Sequence, residues 1–339
     1  MQNPVSRPPH HRAEGGFRNP WPGDVPHGFK DFWRWRVTEH ATRPRPATID
    51  ARMFAAKASA FETPRGREDL LTITWVGHAT TLLQLGRVNI LTDPMWSHRA
   101  SPLPWMGPSR VTPPAVSQDA LPPLDLILIS HNHYDHLDRK TVQVLAEQQP
   151  NAAWFVPLGL GRLIARWGVK EVRELDWWSG DQLGDIGVAC VPARHFSARG
   201  LNDRGATLWC GWTVAADGWR VYFAGDTAYH PDFGAIAKGH GPFDAVLLPV
   251  GAYEPRWFMG SVHMNPEDAM QAYRDLCDAQ SPAPPPAMVP IHWGTFRLTD
   301  EPIDEPPART RRLWSDAGLA ADALWLLAHG ETRRRGRAG

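Results

Sequence analysis

Thiols are scarce in this chain. Only Cys190, Cys210 and Cys277 occur among 339 residues. An odd number at long spacings argues against a disulfide framework and against a cysteine zinc site, and it fits a reducing compartment. Cys190 and Cys210 stand in apolar, strand-like runs and read as small core residues. Net charge is also missing, because 36 Lys+Arg balance 36 Asp+Glu. No global field draws the chain to nucleic acid, and no basic stripe substitutes for one. The one like-charge cluster, Arg333, Arg334, Arg335 and Arg337, reads as a frayed, solvated tail at 333–339. No run of 18 apolar residues exists, so no helical membrane span is expected. The first sixteen residues are rich in Pro, Arg and His and lack the apolar region of a secretory signal. These absences predict a cytoplasmic protein.

Two residue types are plentiful. The 33 prolines imply rigid loops, and the 17 tryptophans supply core packing or an apolar surface. Residues 1–16 read as a disordered tail. Residues 17–70 read as an aromatic and basic arm, with Phe17, Trp21, Phe29, Phe32, Trp33 and Trp35 among Pro, Lys and Arg. Such an arm packs on the body or anchors at a membrane surface. From residue 71 to 332 no linker or repeat interrupts the chain, which predicts one domain.

Within that domain, strands are expected at Leu71–Val76, Thr81–Leu85, Val88–Leu91, Leu124–Ile129, Ala153–Val156, Ile186–Val191, Thr207–Ala215, Trp219–Ala224, Ala245–Val250 and Ala287–Ile291. Helices are expected at 138–149, Leu158–Trp167, Pro266–Ala279 and Glu305–Ala317. Asn265 caps the third of these, and Pro266 occupies its first turn. Early meanders followed by alternating strands and helices predict an α/β fold, two mixed sheets packed together with helices outside.

The strongest chemical signal is Ser130-His-Asn-His-Tyr-Asp-His136, directly after a buried strand. His131, His133, Asp135 and His136 crowd one short loop. Burying them is costly without a cation. His131 and His133 alternate and share a side, while Asp135 and His136 reach a second point, so the spacing implies two adjacent metals. Three further residues end apolar strands: His195, Asp226 and His292. The first shell is then His131, His133, His195 and Asp226. The second is Asp135, His136, Asp226 and His292, with Asp226 bridging through its two oxygens. Imidazole and carboxylate without thiolate suit zinc first, then iron or manganese. His78, Asp93 and Thr227 are expected to orient ligand rings from behind.

The His-x-His-x-Asp-His pattern with downstream His, Asp and His resembles the metallo-β-lactamase superfamily. Longer stretches resemble its N-acyl-phosphatidylethanolamine-hydrolysing phospholipase D family: Trp75-Val-Gly-His-Ala-Thr80, Phe223-Ala-Gly-Asp-Thr227, Gly251-Ala-Tyr-Glu-Pro-Arg-Trp-Phe-Met259 and His292-Trp-Gly-Thr-Phe296. The resemblance runs from about residue 18 to residue 332. It implies a four-layer αβ/βα sandwich and a two-zinc centre. It also implies hydrolysis of a glycerophospholipid phosphodiester, giving phosphatidic acid and an N-acylethanolamine. A homodimer resting on the inner face of a membrane without spanning it is implied as well. Asp135 and His263 are the residues assigned to catalysis, with His263 binding phosphate or giving a proton to the leaving alkoxide. Phe196 stands where animal members carry Trp, so phosphodiester chemistry is better supported than the lipid. The rivals are a lactonase or sugar-phosphate lactone hydrolase on the same metals, a nuclease, and a non-catalytic metal-binding module.

Overall fold

The computed structural model describes residues 7–22, 28–35, 54–200 and 202–337. Much of the expected aromatic arm, at 23–27 and 36–53, lies outside these, as do the side chains of Phe29 and Phe32 and residues 1–6 of the expected tail. In chain order the elements are α1 (Phe29–Trp33), β1 (Leu70–Gly77), β2 (Thr80–Leu85), β3 (Val88–Thr92), β4 (Leu126–Leu128), α2 (Arg139–Gln148), β5 (Ala153–Pro157), α3 (Gly161–Ala165), β6 (Val172–Leu175), β7 (Gly180–Leu183), β8 (Ile186–Val191), β9 (Gly211–Ala216), β10 (Trp219–Phe223), α4 (Phe233–His240), β11 (Ala245–Pro249), α5 (Arg256–Met259), α6 (Pro266–Gln280), β12 (Ala287–Ile291), α7 (Glu305–Asp316) and β13 (Thr332–Gly336).

Two mixed sheets form. One has the order β13-β1-β2-β3-β4-β5-β6, the other β12-β11-β10-β9-β8-β7. The strand period of two explains how they stack. Leu71, Ile73 and Trp75 of β1 and Phe155 of β5 point inward and join Cys190, Trp212, Val214, Val221 and Phe223 of the second sheet in one core. The alternate residues Leu82, Leu91, Ile127, Trp154 and Val156 point outward and pack against Val142 and Leu145 of α2 and Ile164 of α3. On the far side, α4 and α6 cover the second sheet through Phe233, Ile236, Met270, Tyr273 and Leu276. The layers are helix, sheet, sheet, helix, as expected.

Both chain ends depart from expectation. Residues 7–9 and 13–15 are exposed, as a tail would be, but His10 is buried and His11 bridges to Phe17. The aromatic ring of Trp177, 4.4 Å from His10, supplies the apolar partner that the local sequence lacks. The basic tail is the edge strand β13, pairing antiparallel with β1 from Leu70↔Gly336 to Thr74↔Thr332. Its arginines find acceptors and rings: Arg335 donates to the Asp244 carbonyl at 2.7 Å, and Arg337 lies 5.0 Å over Trp219. The backbone hydrogen bonds of β1 outweigh the charge repulsion along the tail.

Strands β3 and β4 run parallel, as do β10, β11 and β12. Their carboxyl ends therefore open on one side of the sandwich, where ligands bind in α/β sheets.

Candidate metal centre

Six strand ends deliver the polar residues. His78 follows β1, Asp93 follows β3, the His131–His136 loop follows β4, His195 follows β8, Asp226 follows β10 and His292 follows β12. Local backbone supports this. Gly225 holds φ +60, and a Cβ there would meet the Ser130 Cβ at 2.5 Å, so Asp226 is brought up against the β4 loop only because no side chain intervenes. The amide of Cys210 donates to the Ser130 carbonyl at 3.0 Å and closes the same seam.

The seven residues expected to bind metal lie together. His131 Nε2 lies 2.8 Å from His133 Nδ1, and His195 Nε2 lies 3.2 Å from it. These three form one donor group. His136 Nε2 and His292 Nε2 lie 3.4 and 3.5 Å from Asp135 Oδ2, forming a second with His78. Asp226 stands between them. Its Oδ2 is 3.1 Å from both His136 Nε2 and His292 Nε2, 4.0 Å from His131 Nε2 and 3.9 Å from His195 Nε2. Donors around a tetrahedral zinc with bonds of about 2.0–2.1 Å sit about 3.3 Å apart, so the spacings suit such ions.

The remaining nitrogens explain which way the rings face. His195 donates through Nδ1 to the Val262 carbonyl at 2.8 Å, which leaves the Nε2 lone pair inward. His136 donates through Nδ1 to Asp93 Oδ2 at 2.6 Å. Ser130 gives its hydroxyl proton to Asp93 Oδ2 at 2.5 Å, so its Oγ accepts from His131 Nδ1 at 2.9 Å. Each arrangement fixes a tautomer and frees an inward nitrogen, as outer partners of metal-bound histidines do. Ser130 is not among the residues expected from the sequence; its one signal there is a small hydroxyl just ahead of the first histidine. Thr227, expected behind a ring, hydrogen-bonds backbone through its hydroxyl. It accepts from the Arg194 amide at 2.8 Å and donates to the Ala228 carbonyl at 2.7 Å, bracing the backbone before His195.

Charge favours cations here. Burial alone would push Asp226 up, but His136 and His292 outweigh it and hold the carboxyl well below its ordinary range. Asp135 behaves likewise, with His136 the strongest opposing influence. Burial opposes protonation of His292, yet Asp226 and Asp135 raise it to about 9. Two buried carboxylates thus demand positive charge. Burial first, then neighbouring imidazoles, depresses His131 and His195 far below the ordinary histidine value, which keeps them neutral and able to ligate. His136 Nε2, His292 Nε2 and Asp226 Oδ1 are buried with no hydrogen-bond partner. Orphaned atoms of this kind converging on one point fit bound cations.

His263 also reaches the centre. It follows α5, its Nδ1 lies 3.9 Å from Asp226 Oδ2, and its ring centroid is 4.9 Å from that of His195. That nitrogen has no partner, and burial lowers the group to about 3. His78 donates through Nε2 to Asp135 Oδ2 at 2.8 Å, a contact that holds the carboxylate in place. Beside His133, the Phe196 ring lies 4.6 Å away with Arg204 stacked 3.9 Å over it. Trp35, Met259 and Val262 pack together, with Phe196 and Phe258 against them, forming an apolar wall.

Residues 88–293 match the family model described as a β-lactamase superfamily domain. A protein of Mycobacterium tuberculosis, Rv0906, is 47% identical over 277 residues, 81% of this chain and 71% of that protein. N-acyl-phosphatidylethanolamine-hydrolyzing phospholipase D 1 of Caenorhabditis elegans is 40% identical over 73% of this chain and 70% of its own. A UPF0173 metal-dependent hydrolase of Archaeoglobus fulgidus is 30% identical over 76% of this chain and 96% of its own. Among solved structures, the metallo hydrolase Igni18 of Ignicoccus hospitalis superposes with a TM-score of 0.58 at 22% identity, covering 79% of this chain and 100% of that one.

Proposed function

We propose, from the premise that this chain belongs to the metallo-β-lactamase superfamily, that it hydrolyses the phosphodiester of N-acyl-phosphatidylethanolamine-type glycerophospholipids. That it is a metal-dependent hydrolase follows from its relatives. The finer reading is a phospholipase D reaction that releases phosphatidic acid and an N-acylethanolamine. The observation that carries it is the union of the converging histidine and aspartate donors with the 40% identity to a phospholipase D of that substrate.

His131, His133, His195 and Asp226 would hold one cation, and Asp135, His136, Asp226 and His292 the other, with zinc the best match to the donors. Such a pair supplies Lewis acidity, lowering the pKa of water and drawing charge from phosphoryl oxygens. The chain does the rest. His78 fixes Asp135 at 2.8 Å so that the carboxylate orients the attacking water. His263 stays neutral in its buried position, so it acts by donating a hydrogen bond through Nδ1 to a phosphoryl or leaving oxygen. Phe196 and Phe258, with the Trp35–Met259–Val262 cluster, give an acyl chain an apolar surface. The Arg204 guanidinium over Phe196 adds positive charge near the diester.

A peripheral membrane contact is part of the same reading. Trp33 and Trp257 are among the exposed large apolar residues, and Arg34 stacks 4.7 Å over the Trp257 ring. Aromatic and basic side chains together suit the headgroup layer. No helix among the described residues is long and apolar enough to cross a membrane.

The test offers purified protein a mixed phospholipid extract, a simple phosphodiester and a lactone, with products read by mass spectrometry and bound metal by elemental analysis. The reading expects N-acylethanolamine release, and turnover reduced at least about 10³-fold with less bound metal in His131→Ala and Asp226→Asn. Lactone turnover with no diester cleavage would overturn the substrate. Full activity with unchanged metal in both variants would overturn the ligand set.

A further inference from the structure

A second cluster of metal-ligating groups lies outside the buried centre, where the N-terminal segment crosses the end of β6. Asp176 follows Leu175. Its Oδ1 lies 2.7 Å from His10 Nε2 and its Oδ2 lies 2.8 Å from His11 Nε2. All three donors fall within 4.8 Å of one another. None of the three is a residue that the catalytic reading uses.

The donors are held before any ligand arrives. The Trp177 amide donates to Asp176 Oδ1 at 2.8 Å, and Ser179 binds the Asp176 carbonyl through its hydroxyl at 2.6 Å. His10 stacks on Trp177 at 4.4 Å, and the His11 ring meets Phe17 edge-on at 5.0 Å. The turn between them is fixed by the His11 amide on the Pro8 carbonyl and the Arg18 amide on the His10 carbonyl. His10 is buried, but the side chains of His11 and Asp176 remain 24% and 26% exposed. That open flank gives an ion an entry path and room for water in the remaining coordination positions.

We propose that His10, His11 and Asp176 form an additional divalent-cation site, of zinc-type preference, that fastens the N-terminal segment to the body. Two imidazoles and one carboxylate with an open position is a donor set zinc accepts. On loading, each Nε2 proton passes to water, a ring that lacks an Nδ1 proton takes one up there from water, and the Nε2 lone pairs and the Asp176 carboxylate then ligate in place of the two hydrogen bonds. The fastening reaches the catalytic region. The Phe17 amide donates to the Gly205 carbonyl at 2.7 Å, and Asn19 Nδ2 donates to the His195 carbonyl at 2.9 Å. An ion on the outer cluster therefore steadies the backbone that carries His195.

The test uses the full chain, stripped with a chelator and titrated with zinc chloride, with zinc counted by elemental analysis after gel filtration. Asp176→Asn and His11→Gln are each expected to hold about one zinc fewer than the unaltered chain. His131→Ala is expected to lose zinc from the buried centre and keep the outer ion, which separates this proposal from the catalytic one. Zinc should also slow proteolysis within residues 7–22 in the unaltered chain and not in His11→Gln. His11 lies at the rim, so its variant decides the matter if Asp176→Asn fails to fold. Equal zinc in the unaltered chain and His11→Gln would show a hydrogen-bonded clasp and overturn the proposal.

Discussion

Asp93 shows how one residue governs two others. It is fully buried at the end of β3, and its carboxylate accepts from His136 Nδ1 at 2.6 Å, the Ser130 hydroxyl at 2.5 Å and the Ser130 amide at 2.7 Å. Through Ser130 it also sets the tautomer of His131. An amide in its place presents hydrogens to groups that need an acceptor. Asp93→Asn is therefore expected to weaken metal binding about 10–100-fold, as loss of such outer partners does. Competition against a chelator reads this directly, and wild-type affinity in the variant would refute it. His78 and Asp93 were both legible as residues closing strands near the motif. Ser130 was not, because its role rests on a chain of protons that runs through a distant strand end.

At the scale of elements, the loops after β11 and β12 pack backbone against backbone. A Cβ on Gly251 would lie 2.1 Å from the His292 carbonyl oxygen. The His292 amide in turn donates to the His78 carbonyl at 3.0 Å, which ties β12 to β1 across the two sheets. Gly251→Ala must push these loops apart, at a cost of about 1–3 kcal/mol. A lowered melting temperature together with reduced metal content is the expected result, and an unchanged melting temperature would mean the loops separate freely. Buried strands such as Ala245–Pro249 and Ala287–Ile291 were read within a residue of their bounds because five consecutive buried positions leave few alternatives. Strands β6, β7 and β13 leave little mark in the sequence, since Val-Arg-Glu-Leu, Gly-Asp-Gln-Leu and Thr-Arg-Arg-Arg-Gly are half-exposed edge sequences with weak patterning. Strand β9 begins at Gly211, later than the expected start at Thr207. Leu208, Trp209 and Cys210 are buried as loop, and burial alone does not distinguish loop from strand.

For the whole molecule, buried histidines outside the centre link stability to pH. His230 lies between Trp21 and Phe233, with ring centroids 4.7 and 4.2 Å away. The His329 ring lies tilted, 4.3 Å from that of Trp75, and pairs with the Thr295 hydroxyl at 2.9 Å. Burial lowers both to about 3, with the Arg194 and Arg110 charges adding to the effect. Because these folded values lie below that of an unfolded histidine, their contribution is present above about pH 6.5 and is lost as pH falls toward 3. Each is expected to cost up to about 2 kcal/mol between pH 7 and pH 5. Melting curves across that range should shift downward, and His230→Phe should flatten part of the shift. Identical profiles for variant and parent would remove His230 from the account.

The sequence by itself determined the class of the fold and pointed to the histidines and aspartates that lie together in it. Continuous apolar runs such as Ala245–Pro249 and Ala287–Ile291 are satisfied by strands covered on both faces, and three histidines with an aspartate in one loop are costly to bury without a cation. Tertiary structure alone decided which atoms meet. Asp226 sits between the two donor groups because Gly225 lets β10 close on the β4 loop, and His263 enters because α5 turns it inward. The folding of His10 and His11 onto Asp176, some 165 residues away, likewise depends on a contact that no local pattern encodes.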